Sequence, residues 1–146
     1  MLQLGLQRGA MLAIPVVCAL IVRESRVLLA QRPPGKHLAL KWEFPGGKVE
    51  PGEEAELALV REIREELDCE VEVVAALPRS LHDYERGRVE MIPFICRLAK
   101  GSAEPRACEH AALAWVTDDE LGAYDLAPAD WPVLRAWRED GAKHFA

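Results

Sequence analysis

The sequence contains no stretch rich in lysine and arginine, and its formal net charge is −6 at pH 7. Proteins whose main partner is polymeric nucleic acid usually present a basic stripe to the phosphate backbone, so we expect no such partner here. An acidic protein that handles a smaller polyanion needs a divalent cation to mediate the contact, because its own field repels phosphate.

The sequence also lacks an apolar run long enough to span a bilayer, which takes about 20 residues. The apolar segment 10–22 has no small-residue cleavage site and is predicted to be a buried strand. Four cysteines are present and form no C-x-x-C pair: Cys18, Cys69, Cys96 and Cys108. Because this pattern suggests neither a zinc site nor a disulfide framework, we expect reduced thiols, a cytoplasmic location and no membrane partner.

The 146 residues fit one domain, since half of them are hydrophobic and 29% are charged. No internal repeat, low-complexity tract or long linker divides the chain, so we predict a single domain over residues 1–146. Residues 1–10 are predicted to be a dispensable extension. The sequence leaves open whether Met1 or Met11 is the natural start, and whether the protein is a monomer or a homodimer.

Strands and helices alternate along the chain. The β-rich runs predict strands over residues 14–22, 27–31, 41–44, 71–77, 89–98 and 114–116. Residues 32–40 begin with a proline-rich segment and are predicted to be a loop. Helices are predicted over residues 54–67, 118–121 and 130–138. This mixture predicts an α/β or α+β sandwich with a mixed sheet.

The predicted helix 54–67 has one apolar and one acidic side. At about 100° per residue, four apolar residues cluster and are predicted to face the core: Leu57, Val60, Ile63 and Leu67. Three glutamates fall on the opposite side: Glu62, Glu65 and Glu66. The small residues Ala55 and Ala58 share the acidic side, where they would leave a ligand room to approach.

The clustered glutamates indicate a bound cation, because like charges at this spacing destabilise a helix by about 0.2 to 0.5 kcal/mol per pair. Carboxylate oxygens are ligands that Mg²⁺ prefers, and protein-bound Mg²⁺ usually contacts substrate phosphates as well. Upstream, Gly46 and Gly47 allow a close approach of the backbone, and Lys48 can meet a phosphate. The pattern predicts a polyphosphate substrate. The alternative is an acidic interaction surface that binds a basic partner without metal.

The spacing of Gly47, Glu53, Arg61-Glu62 and Glu65-Glu66 resembles the Nudix box, the loop-helix-loop signature of the Nudix hydrolases. The one departure is Asp68, where the family has glycine. A left-handed C-cap is expected there, and Asp tolerates that conformation better than most residues. Segments 42–48 and 126–130 resemble the MutT branch and its cytidine-nucleotide relatives. The resemblance implies a Nudix-type α/β/α sandwich with a mixed central sheet.

The resemblance also implies an activity, the Mg²⁺-dependent cleavage of a nucleoside triphosphate into a monophosphate and pyrophosphate, with Mn²⁺ as a substitute. The implied metal ligands are the Gly46 carbonyl and the carboxylates of Glu62, Glu65, Glu66 and Glu109. Arg61 is expected to orient the glutamates, with a bond to Glu53. A metal-activated water is expected to attack the β-phosphorus, and Glu62 or Glu65 would accept its proton.

The candidate substrate-binding residues are Arg32, Phe44, Lys48, Arg88 and Asp130. Arg32 matches a phosphate-contacting arginine of the MutT pattern, and Asp130 matches a position that faces the edge of the base. The alternatives are a surface arginine at a strand end for Arg32, a core side chain for Phe44, an exposed hairpin residue for Arg88 and a helix N-cap for Asp130. As an acceptor-only carboxylate, Asp130 would receive hydrogen bonds from an exocyclic amino group, as found on cytosine or on oxidised guanine. The sequence therefore leaves 8-oxo-dGTP and cytidine nucleotides open as substrates for nucleotide-pool sanitation. Two alternatives within the family are a hydrolase of ADP-ribose or dinucleotides and a binding module without turnover.

Overall fold

A mixed β-sheet runs through the centre of the molecule in the computed structural model, which describes residues 12–141. Its strands are β1 (Ala13–Arg23), β2 (Arg26–Gln31), β3 (Trp42–Glu43), β4 (Gly46–Lys48), β5 (Val71–Ala76), β6 (Ser80–Tyr84), β7 (Gly87–Leu98) and β8 (Ala112–Thr117). The main path through the sheet is β3-β2-β1-β7-β5, and β4, β6 and β8 pair with β1, β7 and β2. Strands β1 and β7 run parallel to each other, and the remaining pairs are antiparallel.

The parallel pair β1 and β7 is buried on both faces, which explains why its sequence is apolar without alternation. In β1, Val17 and Ile21 point into the core on one face of the sheet, whereas Cys18 and Leu20 point into the core on the other. Successive side chains of a strand point to opposite faces, so one apolar strand serves two cores.

Helix α1 (Ala55–Leu67) covers one face of the sheet. Its buried residues are Ala58, Leu59, Ile63 and Leu67. The predicted core face was wrong at Leu57, which is 61% exposed, and the predicted open position Ala58 is fully buried. The cause is β4, whose glycines let the acidic side of the helix approach the sheet.

The opposite face of the sheet is covered by the C-terminal elements. These are α2 (Asp118–Leu121), a 3-10 turn (Pro128–Asp130), α3 (Trp131–Ala136) and a π-helical turn (Trp137–Gly141). Leu121, Leu134 and Trp137 belong to the core on this side. The predicted helix 130–138 is therefore divided among three short pieces. Helices on both faces of a mixed sheet confirm the predicted α/β/α sandwich.

The sequence prediction missed two strands, β4 and β6. The Gly-Gly of β4 reads as a turn, yet its backbone pairs with Val16, Val17 and Cys18 of β1. Strand β6 has the polar sequence SLHDY and lies beside β7, where alternate residues stay exposed. Neither strand has the apolar pattern that identifies a strand in a sequence, because neither lies in the centre of the sheet.

Three findings concern the predicted exclusions. Within residues 12–141, no helix combines the length and the apolar composition that a membrane span needs. Cys18, Cys69 and Cys96 are buried, Cys108 is exposed, and all four are free thiols. The proposed extension over residues 1–10 and the alternative start at Met11 lie outside the described residues.

Asp68, the C-cap residue of helix α1, has the predicted left-handed conformation, with φ 53° and ψ 40°. The Asp68 N–H donates to the Arg64 carbonyl at 3.0 Å. Its carboxylate forms an exposed ion pair with Arg106 at 2.9 Å. Exposed pairs contribute about 0 to 1 kcal/mol, which is comparable with the cost of a left-handed aspartate.

Replacing Asp68 by glycine or by alanine removes the same ion pair, and only glycine adopts the left-handed conformation freely. We expect Asp68→Gly to be more stable than Asp68→Ala by about 1 kcal/mol in its free energy of unfolding. Urea denaturation of both variants measures this difference. Equal stabilities would mean that the C-cap conformation relaxes in the variants.

Candidate active site

A cavity of about 520 Å³ opens where the strand ends and several loops meet. Seven of the residues predicted for the site line it: Arg32, Phe44, Gly46, Lys48, Glu66, Glu109 and Asp130. The wall also contains residues that were not predicted from the sequence, among them the cations Lys36 and Arg86 and the aromatic ring of Tyr84. Its volume is in the range of small-molecule sites, about 300 to 1,000 Å³.

The wall beside helix α1 depends on the two glycines of β4. A Cβ atom on Gly47 would overlap the carboxylate of Glu62, and one on Gly46 would overlap the backbone carbonyl of Val17. Glycine at both positions lets β4 contact helix α1 on one side and pair with β1 on the other. Glu62 is consequently held against the backbone of β4, with a side chain only 15% exposed.

Arg61 connects the carboxylates of helix α1 with the loop before it. Its Nε and Nη2 donate to the two carboxylate oxygens of Glu53 at 2.7 and 2.9 Å, which is the predicted contact. Its Nη1 donates to Glu62 at 3.0 Å and to Glu65 at 3.2 Å, and Nη2 also reaches the Lys48 carbonyl at 3.2 Å. This guanidinium lowers the pKa of Glu53 to about 2, so Glu53 is ionised at any neutral pH.

Glu66 lies deeper than the other glutamates of the helix, with a side chain 13% exposed. Within the described part of the chain, its Oε1 is buried and has no hydrogen-bond partner. Burial, followed by the neighbouring charges of Glu43 and Glu62, raises the pKa of Glu66 far above its ordinary value. A cation bound beside this carboxyl group would favour its ionised form.

The donor set fits a hard divalent cation. The orphaned oxygen of Glu66, the half-buried Glu62 and the exposed Glu65 and Glu109 supply carboxylate oxygens, and Gly46 supplies a carbonyl in the same cavity wall. Among residues 12–141, no three or more His, Cys, Asp or Glu side chains already converge on one point. Glu62 and Glu65 both accept hydrogen bonds from Arg61 Nη1, which holds the two carboxylates beside the guanidinium.

A second polar cluster, which the sequence did not reveal, lies in the cavity wall beside Glu66 of helix α1. Nε2 of His110 is 2.8 Å from Oε2 of Glu43, and Arg32 Nη1 donates to Oε1 of the same carboxylate at 3.1 Å. Glu43 is part of the segment that resembles the MutT branch, and His110 directly follows Glu109. The sequence does not show that Glu43 and His110 are buried, and without that knowledge both are ordinary polar residues.

Asp130 is 3% exposed and lies at the apolar part of the cavity. Its Oδ2 accepts a hydrogen bond from the Phe44 N–H at 3.2 Å, and Tyr84 Oη accepts one from the neighbouring Ala129 N–H at 2.9 Å. Burial raises the pKa of Asp130 well above its ordinary value, and the nearby Glu43 adds to this. The shift is towards the protonated form, which donates as well as accepts, whereas the interpretation of the sequence considered the acceptor-only carboxylate.

The structure does not bring every predicted residue to the cavity wall. Arg88 forms an ion pair with Asp83 at 2.6 Å and is absent from the wall, whereas its neighbour Arg86 is part of it. Glu53, Arg61, Glu62 and Glu65 lie beside the wall on the helix and its preceding loop. The site thus has a carboxylate side at α1 and an apolar side at Phe44 and Asp130.

The chain is similar in sequence and in structure to known proteins. A family model described as the NUDIX domain matches residues 16–136. The chain is 43% identical over 127 residues to the CTP pyrophosphohydrolase of Escherichia coli (strain K12), covering 85% of this chain and 90% of that relative. It is also 43% identical over 129 residues to the putative 8-oxo-dGTP diphosphatase 2 of Mycobacterium tuberculosis (strain ATCC 25618 / H37Rv), covering 88% and 87%.

A solved structure agrees with the fold. The solution structure of the E. coli ORF135 protein aligns with a TM-score of 0.79 and 39% sequence identity. The alignment covers 94% of this chain and 97% of the other. The similarity thus extends over both faces of the sheet and includes the segments that line the cavity.

Proposed function

Because this chain belongs to the NUDIX domain family, we propose that it hydrolyses a nucleoside triphosphate to a nucleoside monophosphate and pyrophosphate in the presence of Mg²⁺. The observation that carries the proposal is the arrangement of Arg61, Glu62 and Glu66 on a helix held against Gly47, beside a cavity of nucleotide size. Related enzymes named as diphosphatases and pyrophosphohydrolases support hydrolysis of a phosphoric anhydride bond.

The residues that would hold Mg²⁺ are Glu62, Glu65, Glu66 and Glu109, with the Gly46 carbonyl. When bound there, the ion neutralises polyphosphate charge and lowers the pKa of a bound water. Glu66 suits a ligand role because its buried Oε1 has no hydrogen-bond partner among the described residues. Lys48, exposed at the end of β4, is available to the phosphates.

The proton of the attacking water would pass to Glu62 or Glu65. Of the two, Glu62 is held in place by the β4 backbone and Arg61, whereas the Glu65 side chain is 56% exposed. A general base must be positioned within hydrogen-bond reach of the proton that it removes. We therefore propose Glu62 as the base, with Arg61 and Glu53 fixing its orientation.

The nucleobase would occupy the side of the cavity lined by Phe44, Tyr84 and Asp130. The flat ring can pack on the apolar wall while Asp130 pairs with its polar edge. Two relatives of equal identity, 43%, are named for CTP and for 8-oxo-dGTP. We propose one of these two base classes as the preferred substrate, and nucleotide-pool sanitation as the role.

The decisive experiment is a substrate panel with the whole protein and Mg²⁺, comprising CTP, dCTP, 8-oxo-dGTP, dGTP and ADP-ribose. Pyrophosphate and phosphate release are assayed separately, beside an EDTA control and the Glu65→Gln variant. Pyrophosphate from a cytidine or 8-oxo-guanine triphosphate, lost in both controls, is the expected result. Turnover of ADP-ribose alone, or of no substrate, would contradict the proposed function.

Asp130 is expected to determine base preference. Asp130→Asn keeps the volume and the acceptor for the Phe44 N–H, but it replaces a carboxyl oxygen by an amide with two donors. We expect kcat/KM for the preferred triphosphate to fall by about 10- to 100-fold, because one polar pair with the base edge is mismatched. Turnover of the poorer nucleotides should change by less than about 3-fold.

The matched control is Asp125→Asn, since Asp125 is exposed and paired with Lys41 outside the cavity. It should leave the substrate ranking of the panel unchanged. If Asp130→Asn lowered turnover equally for all nucleotides, Asp130 would have no part in base recognition.

A further inference from the structure

His110 lies between two acidic side chains and is itself almost completely buried, with 6% of its side chain exposed. Its Nε2 is 2.8 Å from Oε2 of Glu43 and 3.9 Å from Oε1 of Glu66. Only the shorter distance is a hydrogen bond. With a carboxylate as the acceptor, the hydrogen bond is donated by the Nε2–H of His110 to Oε2 of Glu43.

Glu43 is thereby held from two directions. One oxygen accepts from His110, and the other accepts from Arg32 Nη1 at 3.1 Å. Arg32 is fixed in turn, because its Nε donates to the His37 carbonyl at 2.8 Å. Arg32, Glu43 and His110 all line the cavity, so this chain of contacts lies within the site and not behind it.

The loop that carries His110 is anchored to two elements of the site. The Arg106 and Cys108 N–H groups donate to the carbonyls of Leu67 and Glu66 at the end of helix α1. The Ala111 N–H donates to the Gln31 carbonyl at 2.8 Å, next to Arg32 at the end of β2. These hydrogen bonds fix the position of the His110 imidazole with respect to both helix α1 and Arg32.

We infer that His110 is a positioning residue, which fixes Glu43 so that Glu43 holds Arg32 in the orientation that binds the triphosphate. This role rests on the proposed function. His110 acts through Glu43, so its loss should weaken binding of the phosphates and leave the hydrolytic carboxylates of α1 intact. The expected signature is an increase in KM with little change in kcat.

Glutamine and asparagine distinguish this role from simple packing. The amide nitrogen of glutamine occupies the position of Nε2 along the side chain, whereas that of asparagine reaches only the position of Nδ1. His110→Gln can therefore still donate to Glu43, and its KM should stay within about 3-fold of the parent. His110→Asn loses a charge-assisted hydrogen bond, and its KM should rise about 10-fold. Thermal unfolding of both variants verifies that they fold.

A double-mutant cycle tests whether His110 acts through Glu43. In the parent, Glu43→Gln should raise KM about 10-fold, because Arg32 loses its charged partner. In the His110→Asn background, the same change should add less than about 3-fold. Independent, multiplying effects of the two substitutions would overturn the inference, as would equal KM values for His110→Gln and His110→Asn.

Binding of inorganic triphosphate with Ca²⁺, measured by isothermal titration calorimetry, separates this inference from the proposed function. The probe has no base and requires no turnover. We expect a Kd about 10-fold weaker for His110→Asn than for His110→Gln. Absence of nucleotide turnover in the parent would refute the proposed function alone, whereas equal Kd values would refute the positioning role of His110.

Discussion

Replacing Glu62 by glutamine is expected to lower kcat for the preferred triphosphate by about 10³-fold, within the range that a general base contributes. Glutamine keeps the volume and still accepts from Arg61, so the helix and its contact with β4 are retained. The substitution removes a group that can take a proton and also one carboxylate proposed to hold Mg²⁺, which is why the ion is supplied at saturation. Steady-state kinetics at saturating Mg²⁺ measures the effect.

Glu56→Gln is the matched control, because Glu56 is an exposed residue on the same helix, in its first turn and away from the cavity wall. It should change kcat by less than about 2-fold, since it removes only a surface charge. A Glu62→Gln variant with more than a tenth of the parent kcat would exclude Glu62 as the base.

Gly47→Ala is expected to reduce kcat/KM by about 10²-fold or more, because the added Cβ overlaps the Glu62 carboxylate. The carboxylate must turn away, and a displacement of about 1 Å at a catalytic group costs on the order of 10²-fold. The overlapping atoms belong to a flexible side chain, so the free energy of unfolding should fall by only about 1 kcal/mol. Kinetics and urea denaturation measure the two quantities separately.

Gly46→Ala provides the contrast, since its Cβ overlaps the backbone carbonyl of Val17. A backbone clash cannot be relieved by a rotamer change, so we expect a clear loss of stability as well as of activity. A further check combines Gly47→Ala with Glu62→Gln. If Gly47 acts through Glu62, adding Gly47→Ala to the Glu62→Gln variant should lower kcat/KM only slightly further.

The parts of the fold that were predictable are those whose pattern is local. The helix 54–67, the hairpin of β1 and β2 and the left-handed Asp68 follow from short stretches of sequence, and the structure contains them. The Arg61–Glu53 contact was expected from the resemblance to the Nudix box, and its distances agree. The roles of the site residues remain predictions, because contacts alone do not demonstrate catalysis.

What the sequence did not reveal depends on contacts between distant segments. The rotation of helix α1, which exposes Leu57 and buries Ala58, is caused by the glycines of β4 and not by the helix itself. Glu43 and His110 are 67 residues apart, so no local pattern could predict their pairing. Arg88 was predicted to reach the base or the phosphates, with an exposed hairpin residue as the alternative, and it pairs with Asp83 within the hairpin of β6 and β7.

The parallel pairing of β1 and β7 has a consequence for biosynthesis. Ala13 pairs with Arg88 and Ile21 with Cys96, so the ribosome adds each partner of β1 roughly 75 residues after the strand itself. Until then the edge of β1 that pairs with β7 is open, because β2 and β4 pair with the opposite edge, and closing so long a loop is slow. The nascent chain therefore displays an aggregation-prone strand edge while the roughly 75 intervening residues are added, and early engagement by a chaperone would protect it.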